Sequence, residues 1–231
     1  MKRLLNINEG ELDMLIESNS KLVMIGDSVT DCGRAKPYGE GLFGAIGTGY
    51  VSIVSGLIES TYPERKIRVI NMGNGGNTVR DLKERWETDV MDLKPDWLSI
   101  MIGVNDVWRQ FDSPLITEQH VYLEEYKETL EYLVKNTLPT VKGIVLITPY
   151  YMEPNKSDNM RSTMDKYGDA VKEIAEKYGT IIVDTQATFD ELLKHFHSAS
   201  IGWDRVHPNI TGHMVIARAF LDAIDYSWSG L

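Results

Sequence analysis

The sequence predicts a three-layer α/β/α sandwich, in which helices cover both faces of a five-stranded parallel sheet. Short β-branched apolar segments alternate along the chain with segments of helical periodicity, as in βαβ units. Each apolar segment ends in a polar or turn-forming residue. Neither an internal repeat nor a Pro/Ser-rich linker divides the 231 residues, so we expect one domain, 1–231.

Five segments have the composition of buried parallel strands. They are residues 22–25, 67–70, 97–102, 143–148 and 181–184. Strands that are covered on both faces are continuously apolar rather than alternating, and these segments fit that pattern. The strand-to-helix order therefore predicts parallel pairing with helical crossovers.

Four segments show apolar residues at three- and four-residue spacing, which predicts helices. They are residues 79–90, 123–133, 164–178 and 210–224. Thr78 and Asp81 form a capping-box pattern at the first of them. Pro139 follows the second, and Gly179 stands where a left-handed C-terminal cap ends the third.

Composition excludes several classes of protein. The chain has 24 Lys and Arg against 34 Asp and Glu, a net charge of −10, which argues against a nucleic-acid partner. Cys32 is the single cysteine, so no disulfide framework is expected and we assign it no role. Residues 2–6 are too short and polar for a signal peptide, and no segment is long enough to span a membrane. We expect a cytoplasmic protein without a membrane partner.

Polar residues that can take part in catalysis or ligand binding follow the first three predicted strands. The carboxyl ends of parallel strands meet at one edge of a sheet, where ligands bind. Ser28 follows the first strand, where its hydroxyl can act as a nucleophile or where it and Asp27 can simply cap a helix. A glycine-rich turn at 71–78 follows the second strand, and Asn105 follows the third; both are equally compatible with ordinary turns.

A carboxylate precedes a histidine near the carboxyl end of the chain. Asp204 lies three residues before His207, which allows it to accept a hydrogen bond from Nδ1–H and to leave Nε2 as a base. Pro208 disfavours helical geometry for His207, so we expect the imidazole in a loop before the last helix. The alternative is that His207 has a structural role, as a lone histidine in such a segment usually does.

In combination, these motifs resemble those of the SGNH hydrolases, the GDSL-like esterase superfamily, whose fold is flavodoxin-like. The nucleophile block of that superfamily matches 26–28, its oxyanion glycine Gly76, its oxyanion asparagine Asn105, and its Asp-x-x-His block Asp204 and His207. The resemblance implies a catalytic Ser, Asp and His, and an oxyanion hole formed by Ser28, Gly76 and Asn105.

The similarity extends to the intracellular acetylxylan esterases of this superfamily, which deacetylate xylo-oligosaccharides. It covers residues 27–34, 39–50, 76–82, 100–110 and 203–207. Val29 stands where the superfamily name implies leucine, and Gly75 adjoins the oxyanion glycine. The resemblance implies an acetylated oligosaccharide as substrate, an acetyl-serine intermediate, no cofactor or metal, and a homo-oligomer.

Aromatic side chains beside these motifs are candidates for sugar contacts, because flat rings pack on the C–H faces of sugars. Trp108 follows the Asn105 block, and Trp203 precedes Asp204. Trp203 can equally belong to a subunit interface. Arg34 and Tyr151, in predicted loops, are further candidates.

Three alternatives remain open at the sequence level. His195 and His197, with Asp204, His207 or His213, offer nitrogen and oxygen ligands for a metal-dependent deacetylase. A flavin-binding module on the same sheet topology is disfavoured, because acidic residues on both sides of Ser28 repel phosphate. Within the superfamily, a lysophospholipase or thioesterase differs only in its acyl preference.

Overall fold

The computed structural model describes residues 14–228; the signal-peptide interpretation of residues 2–6 and both ends of the predicted domain 1–231 lie outside them. The strands are Lys21–Gly26 (β1), Arg68–Gly73 (β2), Trp97–Met101 (β3), Gly143–Ile147 (β4) and Ile181–Val183 (β5). All pairs are parallel, in the order β2-β1-β3-β4-β5. This is the predicted five-stranded parallel sheet with flavodoxin-like order.

Helices connect the strands and cover both faces of the sheet. They are Ser28–Asp31 (α1), Tyr50–Thr61 (α2), Val79–Glu84 (α3), Val104–Asp112 (α4), Leu123–Thr137 (α5), Asn159–Tyr178 (α6), Thr185–Leu192 (α7), Ser198–Ile201 (α8) and Ile210–Ala223 (α9). Gly179 ends α6 with φ +64°, as the sequence predicts. Over residues 14–228, no helix is both long and apolar enough to cross a bilayer.

The core consists of two layers, one on each face of the sheet. Val23 and Ile25 of β1 belong to one layer, whereas Leu22 and Met24 belong to the other, and all four are fully buried. Successive strand residues point to opposite faces, so an uninterrupted apolar strand supplies both layers. This explains why the strand segments lack polar alternation.

Two predicted elements differ from the observed ones. The segment 79–90 is not one helix, because α3 ends at Glu84 and a π-helical turn follows at Glu87–Met91. The second strand does not end before Asn71, which is buried within β2. Its side-chain amide donates to the carbonyl oxygens of Thr30 and Ile46, so the strand continues through a polar residue without an unpaired group.

The close approach of β1 to its neighbours requires a glycine at its end. A Cβ atom on Gly26 would overlap the Thr30 hydroxyl and the Met101 carbonyl oxygen. We therefore expect Gly26→Ala to lower the free energy of unfolding by about 1–3 kcal/mol. Gly56→Ala is the matched control, since nothing lies within 4 Å of its Cβ position in α2; it should raise stability by about 0.5–1 kcal/mol.

Urea denaturation of both variants measures this difference. Equal effects of the two substitutions would contradict the assigned packing at the end of β1.

Candidate active site

Ser28 occupies the first position of α1, directly after the carboxyl end of β1. The preceding Asp27 caps the helix, since its Oδ1 accepts the N–H of Val29 at 3.0 Å. The Ser28 hydroxyl lies 2.8 Å from Nε2 of His207. Thus Asp27 makes the cap, and the serine hydroxyl is left to contact the imidazole.

Asp204 binds the other side of the same imidazole. Its Oδ2 lies 2.6 Å from Nδ1 of His207, and its Oδ1 accepts the backbone N–H groups of Val206 and His207 at 3.0 and 2.8 Å. Burial alone would raise the pKa of Asp204, but the bond from His207 and the two backbone bonds outweigh it and lower this pKa. The carboxylate is therefore ionised, which favours the Nδ1–H tautomer and directs the Nε2 lone pair towards Ser28.

The loop 204–207 is anchored to the segment that follows β4. The Tyr150 hydroxyl donates to the Val206 carbonyl at 2.8 Å, and the N–H of Met152 donates to the Arg205 carbonyl at 2.9 Å. Pro208 follows this loop and α9 begins at Ile210, so His207 lies outside the helix, as the sequence predicts.

Two successive glycines after β2 have different hydrogen-bonding environments. The N–H of Gly75 donates to Asp31 Oδ2 at 3.1 Å. Gly76 has φ +80°, in the left-handed region that favours glycine, and the space around its Cβ position is open. The Gly75 N–H is therefore engaged within the protein, whereas the backbone at Gly76 borders open space.

Asn105 lies at the second position of α4 and not in the turn that the sequence analysis considered. It is 2% exposed; its Nδ2 donates to the Asn77 carbonyl at 3.0 Å, and its Oδ1 accepts a bond from Arg109 at 3.2 Å. The side-chain amide has two N–H donors, and only one of them is used by the Asn77 carbonyl, so the second remains for a ligand. The contacts with Asn77 and Arg109 hold the amide in its orientation.

Asp27 and Asp106 are fully buried carboxyl groups beside these elements, and sequence analysis did not identify Asp106. Oδ1 of Asp106 accepts the N–H of Val79, at the start of α3, at 3.0 Å. Desolvation raises the pKa of Asp27 to about 6 and that of Asp106 to about 7. Asp27 therefore orients the start of α1, and Asp106 orients the start of α3. Each of the two carboxyl groups retains a proton more readily than an exposed aspartate does.

The raised pKa of Asp106 predicts a pH-dependent stability. Its pKa is about 7 in the folded state against an ordinary value of 3.8, so folding favours the protonated form. This contribution is complete below the ordinary pKa and is lost as the pH rises towards 7. The unfolding free energy of Asp106→Asn minus that of the wild type should therefore increase by about 2–3 kcal/mol from about pH 5 to pH 8.

Urea denaturation of the wild type and Asp106→Asn at several pH values measures this difference. The other titrating groups are shared by the two proteins, so their contributions largely cancel. A difference that is independent of pH would contradict the prediction.

The four candidates for sugar contacts occupy different environments. The Trp108 ring centroid lies 5.8 Å from that of His207, and Trp203 is 85% exposed beside Asp204. The placement of Arg34 contradicts its expected role, because it is 6% exposed and its guanidinium donates to the carbonyl oxygens of Gly73, Ala35 and Pro37.

Tyr151 lies in the loop that follows β4, as the sequence predicts. It is partly buried against the core, and both its N–H and its carbonyl group bond the side chain of Gln186. We therefore retain Trp108, Trp203 and Tyr151 as candidates and disfavour only Arg34, whose guanidinium is already occupied.

Cys32, His213 and His197 have structural contacts. Burial raises the pKa of the Cys32 thiol to about 11 and lowers that of His213, 3.3 Å from the sulfur, to about 4. A neutral thiol is a poor nucleophile. His197 Nδ1 accepts the N–H of Ala199 at the start of α8. Between residues 14 and 228, His, Cys, Asp and Glu side chains form no group of three suited to a metal ion.

Comparison with known proteins places this arrangement among ester hydrolases. A model of the GDSL-like lipase/acylhydrolase family matches residues 24–215. An acetylxylan esterase of Geobacillus stearothermophilus is 60% identical over 215 residues, which are 93% of this chain and 98% of that protein. Its crystal structure, with the same coverage, has a TM-score of 0.92 to this fold.

A second similar crystal structure is that of LAE5, an α/β hydrolase from the metagenome of Lake Arreo, Spain. Its sequence is 54% identical, its TM-score is 0.91, and the match covers 93% of this chain and 99% of LAE5. Three structures of the Geobacillus esterase are described as catalytic mutants. In these, alanine replaces a serine, an aspartate, or the histidine three residues after that aspartate. The family model matches most of the chain and the curated relative is 60% identical over 93% of it, so this chain belongs to the GDSL-like lipase/acylhydrolase family.

Proposed function

We propose that this chain is a serine esterase that removes acetyl groups from acetylated xylo-oligosaccharides. The observation that carries the proposal is the chain of hydrogen bonds from Asp204 through His207 to Ser28. The same three residue types are altered in catalytic mutants of an acetylxylan esterase that is 60% identical to this chain.

The first half of the reaction transfers the acetyl group to Ser28. Nε2 of His207 accepts the hydroxyl proton while Oγ attacks the ester carbonyl carbon, and Asp204 stabilises the imidazolium that forms. Collapse of the tetrahedral intermediate breaks the bond to the sugar oxygen, which leaves as a hydroxyl with the proton from Nε2. An acetyl-serine and a deacetylated sugar result.

The second half of the reaction releases acetate. A water molecule donates its proton to Nε2 of His207 and attacks the acetyl-serine carbonyl carbon. Collapse of the second intermediate returns the proton to the oxygen of Ser28 and frees acetate. His207 thus serves as base and then as acid in each half, which restores the starting enzyme.

The negative charge on the carbonyl oxygen requires donors that are already in place. The N–H of Ser28 at the start of α1, the N–H of Gly76 and the Asn105 amide follow three adjacent strands, β1, β2 and β3. Preorganised donors of this kind stabilise charge that develops only in the transition state.

Removal of the Asn105 amide should therefore lower kcat more than it raises KM. We expect Asn105→Ala to reduce kcat by about 10²–10³-fold, with activity still measurable. Steady-state kinetics on 4-nitrophenyl acetate tests this. Asn136→Ala, on the exposed face of α5, is the control; an equal loss in both variants would argue against the assigned role.

The acyl preference distinguishes the proposed esterase from a lysophospholipase or thioesterase with the same catalytic residues. We expect rates to fall steeply from acetyl to butyryl to octanoyl esters of 4-nitrophenol, and we expect acetate release from acetylated xylo-oligosaccharides. Faster turnover of the octanoyl ester, without acetate release, would favour the alternative.

We also propose a cytoplasmic homo-oligomer, as the resemblance implies. Leu42, Phe43 and Trp203 are largely exposed apolar side chains, of the kind that subunit interfaces cover. Light scattering of the purified protein tests the assembly, and a monomeric mass would refute it.

A further inference from the structure

A polar pocket lies beside the Gly76 peptide. It has a volume of about 370 Å³ and is lined, besides Gly76, by Thr78, Arg80, Asp81, Glu84, Arg109 and Gln119. This size is within the range of small-molecule sites. We propose that this cavity, the Gly76 pocket, binds a sugar ring of the leaving saccharide next to the acetylated ring. The inference rests on the proposed esterase function and adds the residues that recognise the saccharide.

A series of side-chain contacts links the pocket with His207 and Asn105. The guanidinium of Arg109 lies 5.3 Å from the Trp108 ring centroid and donates to Asn105 Oδ1 at 3.2 Å. The Trp108 ring in turn lies 5.8 Å from that of His207. A saccharide whose ester reaches Ser28 and whose acetylated ring lies over Trp108 therefore extends along Arg109 into the pocket.

The lining of the pocket favours hydroxyl groups over an alkyl chain. Apart from Gly76, every side chain that lines it carries a hydrogen-bond donor or acceptor. An alkyl chain gains free energy only by leaving water for apolar surroundings, and here it would also desolvate charged groups. The pocket is thus better matched to a hydroxylated ring than to the chain of a lipid or long-chain thioester.

The charge balance favours a neutral ligand over an anion. Two arginines and two carboxylates line the pocket, and both arginines have carboxylate partners nearby. Arg80 pairs with Glu125 at 2.5 Å, and Arg109 pairs with Asp112. Recognition of phosphate or carboxylate uses cations whose charge is not already compensated. A mixed set of donors and acceptors instead matches the hydroxyl groups of a neutral sugar.

Two walls of the pocket offer side chains that can be altered without loss of fold. Glu84 ends α3, and Gln119 ends the short 3₁₀ turn Thr117–Gln119; both are exposed. Arg80 joins the two walls by donating to the carbonyl oxygens of Glu118 and His120 at 2.9 Å. The double variant Glu84→Gln/Gln119→Ala therefore changes ligand contacts and leaves this connection intact.

Inhibition by the deacetylated product tests the pocket directly. We expect xylotriose to inhibit 4-nitrophenyl acetate hydrolysis competitively, with an inhibition constant about tenfold higher in the double variant, because one hydrogen bond is lost at position 119 and the acceptor at position 84 loses its charge. The control Glu87→Gln/Glu118→Ala alters neighbouring exposed residues outside the pocket and should keep the wild-type constant. An absence of inhibition in the wild type, or an unchanged constant in the double variant, would overturn the proposal.

A second measurement separates this inference from the proposed function. In the double variant, the ratio of kcat/KM for acetylated xylotriose to kcat/KM for 4-nitrophenyl acetate should fall about tenfold. A wild type that cleaves 4-nitrophenyl acetate but not acetylated xylotriose refutes the proposed xylo-oligosaccharide substrate and the pocket with it. Normal deacetylation with an unchanged ratio refutes the pocket alone.

Discussion

Replacing Ser28 by alanine is expected to lower kcat for 4-nitrophenyl acetate by about 10⁶-fold, the scale seen when a serine nucleophile or its histidine is removed. The covalent intermediate requires the Ser28 oxygen, and its only hydrogen-bonding partner within residues 14–228 is His207. Loss of the oxygen therefore leaves stability almost unchanged while it removes the bond-forming atom. Steady-state kinetics and thermal unfolding measure the two effects.

Covalent labelling gives an independent result for the same variant. A serine-directed organophosphate should modify the wild type at Ser28 and leave Ser28→Ala unlabelled. Ser60→Ala is the matched control, because it also removes an exposed hydroxyl with one hydrogen bond, to the Leu57 carbonyl. Near-normal acetate release by Ser28→Ala, or labelling at another serine, would contradict the mechanism.

Replacing Asp204 by asparagine is expected to reduce kcat by about 10⁴-fold with little change in fold. The amide can keep the two backbone N–H bonds that Oδ1 accepts. If its NH₂ group faces His207, however, it donates to Nδ1 instead of accepting from it. The proton then resides on Nε2, which can no longer accept a proton from Ser28.

A matched exposed aspartate separates this tautomer effect from a general loss of charge. Asp169→Asn on α6 removes one negative charge from an exposed side chain and should retain wild-type kcat. The crystal structure of Asp204→Asn should show an unchanged loop 204–207. A loss of less than tenfold in this variant would show that the carboxylate does not set the tautomer.

The sheet could be predicted from sequence because its strands are buried on both faces and therefore continuously apolar. Helices α2 and α4 were not predicted, and the reasons are local. The segment Tyr50–Thr61 mixes β-branched residues with Ser and Gly, which weakens its helical periodicity. Helix α4 begins immediately after Gly103, which has φ +129°. Its first turn contains Asn105 and Asp106, residue types that are common in turns, so the sequence there does not indicate a helix.

The candidate site could be predicted where its chemistry lies within a short motif. Asp204 and His207 are three residues apart, and a strand-end serine is recognisable by its position. The environment of Arg34 could not be predicted, because its partner Gly73 is distant in sequence. Arg85 was missed for the same reason: on a helical segment it resembles a solvated residue, yet it donates to the carbonyl oxygens of Gly26 and Met72 at two strand ends.

In the proposed mechanism, the base and its carboxylate lie together on the loop 204–207, whereas the nucleophile and the oxyanion donors follow strands of the sheet. The carboxylate binds both the imidazole and the backbone N–H of His207, so the two residues move as one body. Displacement of this body would lengthen the distance over which the Ser28 proton moves to Nε2, but it would leave the hydrogen bond between Asp204 and the imidazole unaltered. In the proposed mechanism, the anchors from Tyr150 and Met152 would thus affect the reaction rate without touching any reacting atom.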